Sequence, residues 1–386
     1  MRDSRIARLL REHEELRASG INLVVSENRL SARVRAALAS DLAGRYQDRG
    51  YGGSSCARAV VEETERLARE VFRASCALVG SVSGNLCVLA CLSAFTAPGD
   101  TVAMLPFPAG GYPFGLEKFH RRRVAIPADA RSLEIDVEAA VRAVVRGGAG
   151  LVFLGGSIIP FPHPVREVRA GLEEAGHECL LVYDGSHVLG LIACGEFQDP
   201  LREGADILIG STHKTLFGPQ GGLALTDSPE TAARLRGMLE LDLEEGIGLV
   251  DNPHLNRIAA LGLALEEVLE DITYGARVVD NARALAAALD RLGMPVRFRE
   301  RGYTASHQVL LDLEPPAAER LCRDLEVAGI FIDAWGRLGA AEVTRRGMGP
   351  DEMEAVAGLI AEVHAGRPAP GLSGRVAELA RSFPPV

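Results

Sequence analysis

The chain has 386 residues, 47% of them hydrophobic and 24% charged, the balance of a globular protein long enough for two domains. Its 42 basic and 52 acidic residues give a formal charge of −10, which speaks against binding along a nucleic-acid backbone, a task that needs concentrated positive charge. Seven cysteines, Cys56, Cys76, Cys87, Cys91, Cys179, Cys194 and Cys322, contain no C-x-x-C pair and suggest neither a disulfide framework nor a metal site.

The first twenty residues, MRDSRIARLLREHEELRASG, read as a charged helix without the apolar stretch of a secretory signal. The most apolar window, CLLVYDGSHVLGLIAC, carries Asp184 and His187 and is too short to span a bilayer. These features predict a cytoplasmic protein with no membrane partner. A helix is predicted over 61–72, then a strand near 77–80 that runs into the apolar helix LCVLACLSAF. Further strands are predicted over 101–105, 150–155, 178–183 and 206–210, with helices over 134–145 and 165–176. The run Arg121-Arg122-Arg123 reads as a solvated edge. Strands apolar throughout are buried on both faces, and their alternation with helices predicts a largely parallel sheet covered by helices.

Past residue 252 the pattern changes. Two long helices (252–272 and 277–293) precede strands at 295–299 and 307–313, a helix at 317–328, short strands near 330–333 and 340–343, and a helix at 351–364. The tail 367–375 reads as a loop. The organisation expected is an N-terminal helix and arm (1–30), a large α/β domain (31–272) and a small α+β domain (273–386).

In an open parallel sheet, ligands bind beyond the carboxyl ends of the strands. Three such ends carry polar clusters: Asp184-Gly-Ser-His187, Ser211-Thr-His213-Lys214-Thr215, and Ser81-Val-Ser83-Gly84-Asn85. The last opens a helix whose dipole and free N–H groups suit a phosphate, although serine at an N-cap is ordinary. Lys214, partly desolvated just past a buried strand, is placed to attack an aldehyde; elsewhere a lysine in a turn is simply a surface residue. The three clusters together match pyridoxal phosphate, which needs a lysine for its aldehyde, a carboxylate for its ring nitrogen and a phosphate pocket.

At this point the chain resembles the serine hydroxymethyltransferases. The likeness runs from Val25-Ser26-Glu27-Asn28 through Arg45-Tyr46, Tyr51-Gly52-Gly53, Ser83-Gly84, Pro98-Gly99-Asp100, Gly110-Gly111 and Asp184-Gly-Ser-His187. It continues in Thr212-His213-Lys214-Thr215-Leu216 with Gly218-Pro219-Gln220-Gly221-Gly222, then in Gly336-Arg337-Leu338-Gly339 and Thr344-Arg345-Arg346-Gly347. The resemblance implies a fold-type I, aspartate aminotransferase-like architecture with a mostly parallel seven-stranded sheet. It implies pyridoxal phosphate held covalently by Lys214, with Asp184 on the pyridinium nitrogen and His187 near the phenolic oxygen and the substrate. Ser83, Gly84, Asn85 and His213 would surround the phosphate, Ser157 and Ser211 would line the cofactor site, and Arg337 with Ser26 would take the α-carboxylate of an amino-acid substrate. Tyr46 and the acid–base residue Asp48 would come from the other subunit of a homodimer, and Tyr51 would also bind the substrate.

Several positions depart from the family pattern. The histidine before the Gly-Gly pair is Ala109 and the one after it is Tyr112, which could stack on the ring instead. The family's glutamate is the shorter Asp48, followed by a shortened segment to Tyr51. The arginine of the GP-x-GG loop is Gln220. The glycine loop by which the partner reaches the phosphate persists as Glu245-Gly246-Ile-Gly248. The loop before Gly336 is cut to Ile332-Asp333-Ala334-Trp335, where the family uses a longer one to cradle tetrahydrofolate. These departures imply a wider, folate-independent site acting at Cα or Cβ of a bulky amino acid. C–S β-elimination or decarboxylation-coupled oxidative deamination of a cysteine S-conjugate, as in lincosamide antibiotic biosynthesis, is the leading expectation. An L-threonine aldolase or transaldolase, a compact hydroxymethyltransferase, and a non-catalytic regulatory homologue are the alternatives, the last opposed by intact Lys214, Asp184, His187 and Arg337.

Overall fold

A computed structural model of the chain describes residues 4–241, 246–366 and 371–384. Seven strands form the main sheet: β1 (Cys76–Leu78), β2 (Thr101–Met104), β3 (Arg122–Ala125), β4 (Leu151–Gly155), β5 (Leu180–Asp184), β6 (Ile207–Ser211) and β7 (Gly222–Thr226), in spatial order β1-β7-β6-β5-β4-β2-β3. The strands from β6 to β3 pair in parallel, and β7 runs antiparallel to both β1 and β6. Every residue of β2, β4, β6 and β7 is buried, as strands covered on both faces require. This α/β sheet and its helices make one compact unit, Ala32–Ile272.

β3 and β7 are additions to the expected elements. β3 contains Arg122 and Arg123 and lies at the sheet margin, paired on one side only, so its charges stand in solvent. β7 is apolar but follows the Gly221-Gly222 pair without a break, which hides its start in the sequence.

The second unit joins the residues up to Ser31 with those from Thr273 onward. Here Ile21–Asn22 pairs in parallel with Ile330–Phe331, and Gln308–Leu310 pairs antiparallel with Arg337–Gly339. Helices Tyr274–Arg291, Pro315–Ala328, Pro350–His364 and Leu372–Ser382 close a core that includes Leu285, Leu325, Ile360 and Val376. Three expectations are corrected. Residues 340–343 are not a strand; a short helix, Ala341–Arg345, starts there, and its Thr344 Oγ1 donates to the Ala340 carbonyl. The strand at 295–299 reduces to a single bridge between Val296 and Leu311. Part of the loop expected at 367–375 is helical, because Leu372, Val376 and Ala380 recur every four residues and bury one face; 367–370 lie outside the described residues. The helix Arg5–Ala18 is capped by Ser4 and buries no residue. Among the described residues no helix is long and apolar enough to cross a membrane.

Candidate active site

The three strand ends meet on one edge of the main sheet. A Cβ on Gly222, the first residue of β7, would lie 2.5 Å from the Ser83 carbonyl and 2.8 Å from Ser81 Oγ. One on Gly84 would lie 2.3 Å from Ser211 Oγ. Only glycine allows so close an approach, and it presses the Ser83-Gly84-Asn85 helix start against the ends of β6 and β7. Ser83 Oγ accepts the Leu86 N–H at 3.1 Å and caps the helix Gly84–Phe95. The N–H groups of Gly84 and Asn85, at the very start of the helix, precede its first i−4 carbonyl and favour an anion there.

From Ser211 a hydrogen-bond chain leads to Asp184. Ser211 N–H donates to Ser186 Oγ at 3.0 Å, and Ser186 N–H donates to Asp184 Oδ1 at 3.0 Å. Tyr112 reaches the same place: its hydroxyl donates to Asn85 Oδ1 at 3.1 Å, and burial, then the charge of Asp184, raise its pKa above the ordinary value. Ser157 N–H donates to the Gly110 carbonyl at 2.7 Å, which brings the Ala109–Tyr112 segment against the end of β4.

Lys214 sits in a closed loop after β6. Thr212 N–H donates to the Gly221 carbonyl at 3.1 Å and Thr212 Oγ1 to that of Pro219 at 2.6 Å. Thr215 Oγ1 donates to the His187 carbonyl and accepts the Gly190 N–H, both at 2.9 Å, so the lysine loop is fastened to the segment that follows Asp184. His187 is buried; His213 and Lys214 are half-buried.

The electrostatics of this cluster are unbalanced. Asp184 is 7% exposed, and burial outweighs the Ser186 hydrogen bond and the Lys214 charge, so its pKa is raised. Burial, with Lys214 beside it, lowers that of His213 to about 4, which leaves the ring neutral at pH 7. His213 Nδ1 has no hydrogen-bond partner among the described residues. A protonated ring nitrogen opposite Asp184 and a phosphate at the Ser83–Asn85 helix start would answer these needs. The donor set therefore fits pyridoxal phosphate, with Lys214 the amine in reach of the same loops.

In the second unit Arg337 is 9% exposed; its Nε donates to Asp333 Oδ2 at 2.7 Å, and its guanidinium lies over the Trp335 ring at 5.4 Å. Asp333 Oδ1 also accepts the N–H groups of Trp335 and Arg337 at 2.9 and 3.2 Å, closing the short turn. Half-buried Ser26 follows Val25, which packs on Gly339 two residues beyond Arg337. Tyr46 and Tyr51 are exposed, their rings stacked at 4.6 Å, and Asp48 Oδ1 accepts the Gly50 N–H at 2.7 Å. Gly248 packs against the end of the helix Pro229–Leu239, where a Cβ would meet the Gly237 carbonyl at 2.5 Å; Glu245 lies outside the described residues. Sequence reasoning missed Ser186, Asp333 and Arg257. The last had one visible sign: it shares the buried stripe of its helix with Leu261, Ala264 and Val268.

This sheet and cluster are those of a fold-type I pyridoxal-phosphate enzyme. The family model described as serine hydroxymethyltransferase matches residues 166–360. Serine hydroxymethyltransferase of Methanothermobacter thermautotrophicus is 38% identical, over 93% of this chain and 89% of that protein. That of Methanopyrus kandleri is also 38% identical, over 99% and 94%. A crystal structure of L-threonine transaldolase from Pseudomonas fluorescens, in its internal aldimine state, superposes with a TM-score of 0.87 at 27% identity, covering 98% of this chain and 91% of that one. The chain belongs to the serine hydroxymethyltransferase family and is a pyridoxal-phosphate-dependent enzyme.

Proposed function

We propose that this enzyme breaks or exchanges the Cα–Cβ bond of a β-hydroxy amino acid of the threonine or serine type without tetrahydrofolate. Bound pyridoxal phosphate supplies an electron sink for the pair left on Cα. In this reading Lys214 holds the cofactor, Asp184 keeps a proton on its ring nitrogen, and Ser83, Gly84, Asn85 and neutral His213 hold the phosphate. Tyr112 covers the ring in place of the family histidine, Arg337 fixes the α-carboxylate, and His187 stands beside the reacting atoms. Asp48, with one oxygen held by Gly50 N–H, offers the other to the β-hydroxyl proton. Loss of that proton releases an aldehyde, and reprotonation of Cα gives glycine.

The observation that carries this reading is the turn before Arg337. Asp333 ties it shut through two backbone N–H groups and the Arg337 Nε, so the chain has no long loop there to cradle folate. The threonine transaldolase relative supports the choice of substrate; no named relative supports a cysteine S-conjugate lyase or a role in antibiotic biosynthesis. A homodimer with shared sites is supported by Tyr46 and Tyr51, exposed on one chain, and by the helix Arg5–Ala18, which leaves Ile6, Leu9, Leu10 and Leu16 in solvent.

The test is an assay of L-threonine, of L-serine with and without tetrahydrofolate, and of an S-alkyl cysteine. Aldehyde and glycine from threonine, with no stimulation by folate, are the expected result. Folate-dependent glycine formation from serine would overturn it, and thiol release from the cysteine conjugate would replace it with C–S lysis.

A further inference from the structure

Arg257 lies in the helix Leu255–Glu270, is 5% exposed, and has no carboxylate in ion-pair distance among the described residues. Its Nη2 donates to the carbonyls of Val79 and Pro253 at 2.6 and 3.0 Å, and its Nε to that of Pro253 at 3.2 Å. Nη1 is buried with no hydrogen-bond partner. It points at the backbone of Gly221, where a Cβ would stand 2.6 Å from it. Gly221 precedes Gly222, which touches Ser81 and Ser83, and Val79 leads into the same serines. The guanidinium is thus wedged behind both loops of the phosphate pocket. Cys87, in the helix that Ser83 caps, feels the charges of both Arg257 and Asp184.

A buried cation without a counter-ion is costly, because it gives up its hydration and gains no opposite charge. We propose that Arg257 is the fixed positive charge behind the phosphate pocket, selecting a dianionic cofactor through the loops Val79–Ser83 and Gly221–Gly222 without touching it. Asp184 and Arg257 then form complementary ends of one site, a buried anion for the ring cation and a buried cation for the phosphate. Burial holds both away from their ordinary ionisation, Arg257 down to about 10 and Asp184 upward. With Gln220 at the family's arginine position, the loop itself carries no such charge.

The proposal rests on the pyridoxal-phosphate reading of the cluster, and the test separates the two. Cofactor-free wild type, Arg257→Met and Arg257→Lys are titrated with pyridoxal phosphate and with pyridoxal, which lacks the phosphate, and bound ligand is followed by visible absorbance. Arg257→Met should weaken pyridoxal phosphate by about tenfold or more, as for two charges a few ångströms apart in a protein interior, and leave pyridoxal within about twofold. Arg257→Lys, which keeps the charge, should retain the preference for the phosphorylated ligand. Equal weakening of both ligands would show a merely structural arginine and overturn the proposal. So would loss of the preference in Arg257→Lys, should the methionine variant fail to fold. A wild type that binds neither ligand would remove the cofactor site itself, and this proposal with it.

Discussion

Arg257 and Arg346 are both 5% exposed, and burial lowers the pKa of both guanidinium groups. Arg346 spends all three nitrogens: Nε on the Phe383 carbonyl at 2.9 Å, Nη1 on that of Gly20 at 2.8 Å, and Nη2 on that of Ala380. It ties the N-terminal arm to the last helix. Arg257 spends two and leaves Nη1 without a partner. The contrast extends to the surroundings of each. In the smaller unit Arg337 pairs with Asp333 and Glu342 accepts from Asn22 Nδ2, although burial still raises the pKa of Glu342 and Arg29 Nε is buried without a hydrogen-bond partner among the described residues. In the sheet unit Asp184, His213 and Arg257 keep unmet electrostatic or hydrogen-bonding needs. Burial alone therefore does not mark a site: Arg346, with all three nitrogens satisfied by carbonyls, is architecture. A buried group left unsatisfied costs about 1–3 kcal/mol and calls for an absent partner.

Four substitutions would break or sharpen that contrast. The largest effect is expected of Lys214→Ala: covalent attachment of the cofactor is lost, read as the absence of the cofactor's mass on the protein after borohydride reduction. Persistent attachment would place the aldehyde elsewhere. Arg346→Met should cost roughly 3 kcal/mol of stability, since three buried carbonyls lose their donor. A denaturant melt reads this, and a loss as small as that of a surface substitution would erase the distinction between the two arginines. Arg337→Ala should weaken amino-acid binding by about 1.5–3 kcal/mol, the value of hydrogen bonds to a charged group. Unchanged affinity would move the carboxylate site.

The smallest effect concerns pH. The pKa of Asp184 is raised above 3.8 in the folded chain, so the folded state binds the extra proton and the cofactor-free protein loses stability as pH rises from 3.8 through that raised value. Asp184→Asn should flatten this decline in cofactor-free protein while weakening pyridoxal phosphate binding. His213 acts in the opposite sense. Its pKa falls from 6.5 to about 4, so stability is lost as pH drops through that window, and the asparagine variant should leave this acid limb in place. A thermal-melt series from pH 3 to 8 on both proteins, an order-of-magnitude span around these groups, reads the two limbs separately.

What the sequence makes legible follows from how each signal arises. Strands β2, β4, β5 and β6 are unbroken apolar runs, and a run buried on both faces announces itself. β3 does not, because a marginal strand tolerates Arg122 and Arg123. The helix Ala341–Arg345 replaces the short strand expected at 340–343, and what distinguishes it, the Thr344 hydroxyl bonding back to the Ala340 carbonyl, is not visible in so short a segment of sequence. In the site, Asp184 and Lys214 stand at strand ends and are found by topology alone. Ser186 and Arg257 act through contacts far apart in sequence: Ser186 meets Ser211, and Arg257 meets Val79 and Gly221. Such closeness is made by the sheet order, in which β7 inserts between β1 and β6, and no local pattern records it.

Trp335 is the chain's only tryptophan, is 64% exposed, and lies against the Arg337 guanidinium. Ultraviolet emission from this protein is thus a single-address signal. An anion that bound Arg337, as proposed, would change this emission in unlabelled, cofactor-free protein, where turnover cannot interfere. During unfolding the same emission follows the smaller unit, while the absorbance of bound cofactor follows the sheet unit. Two colours in one cuvette would show whether the two units melt together or in sequence.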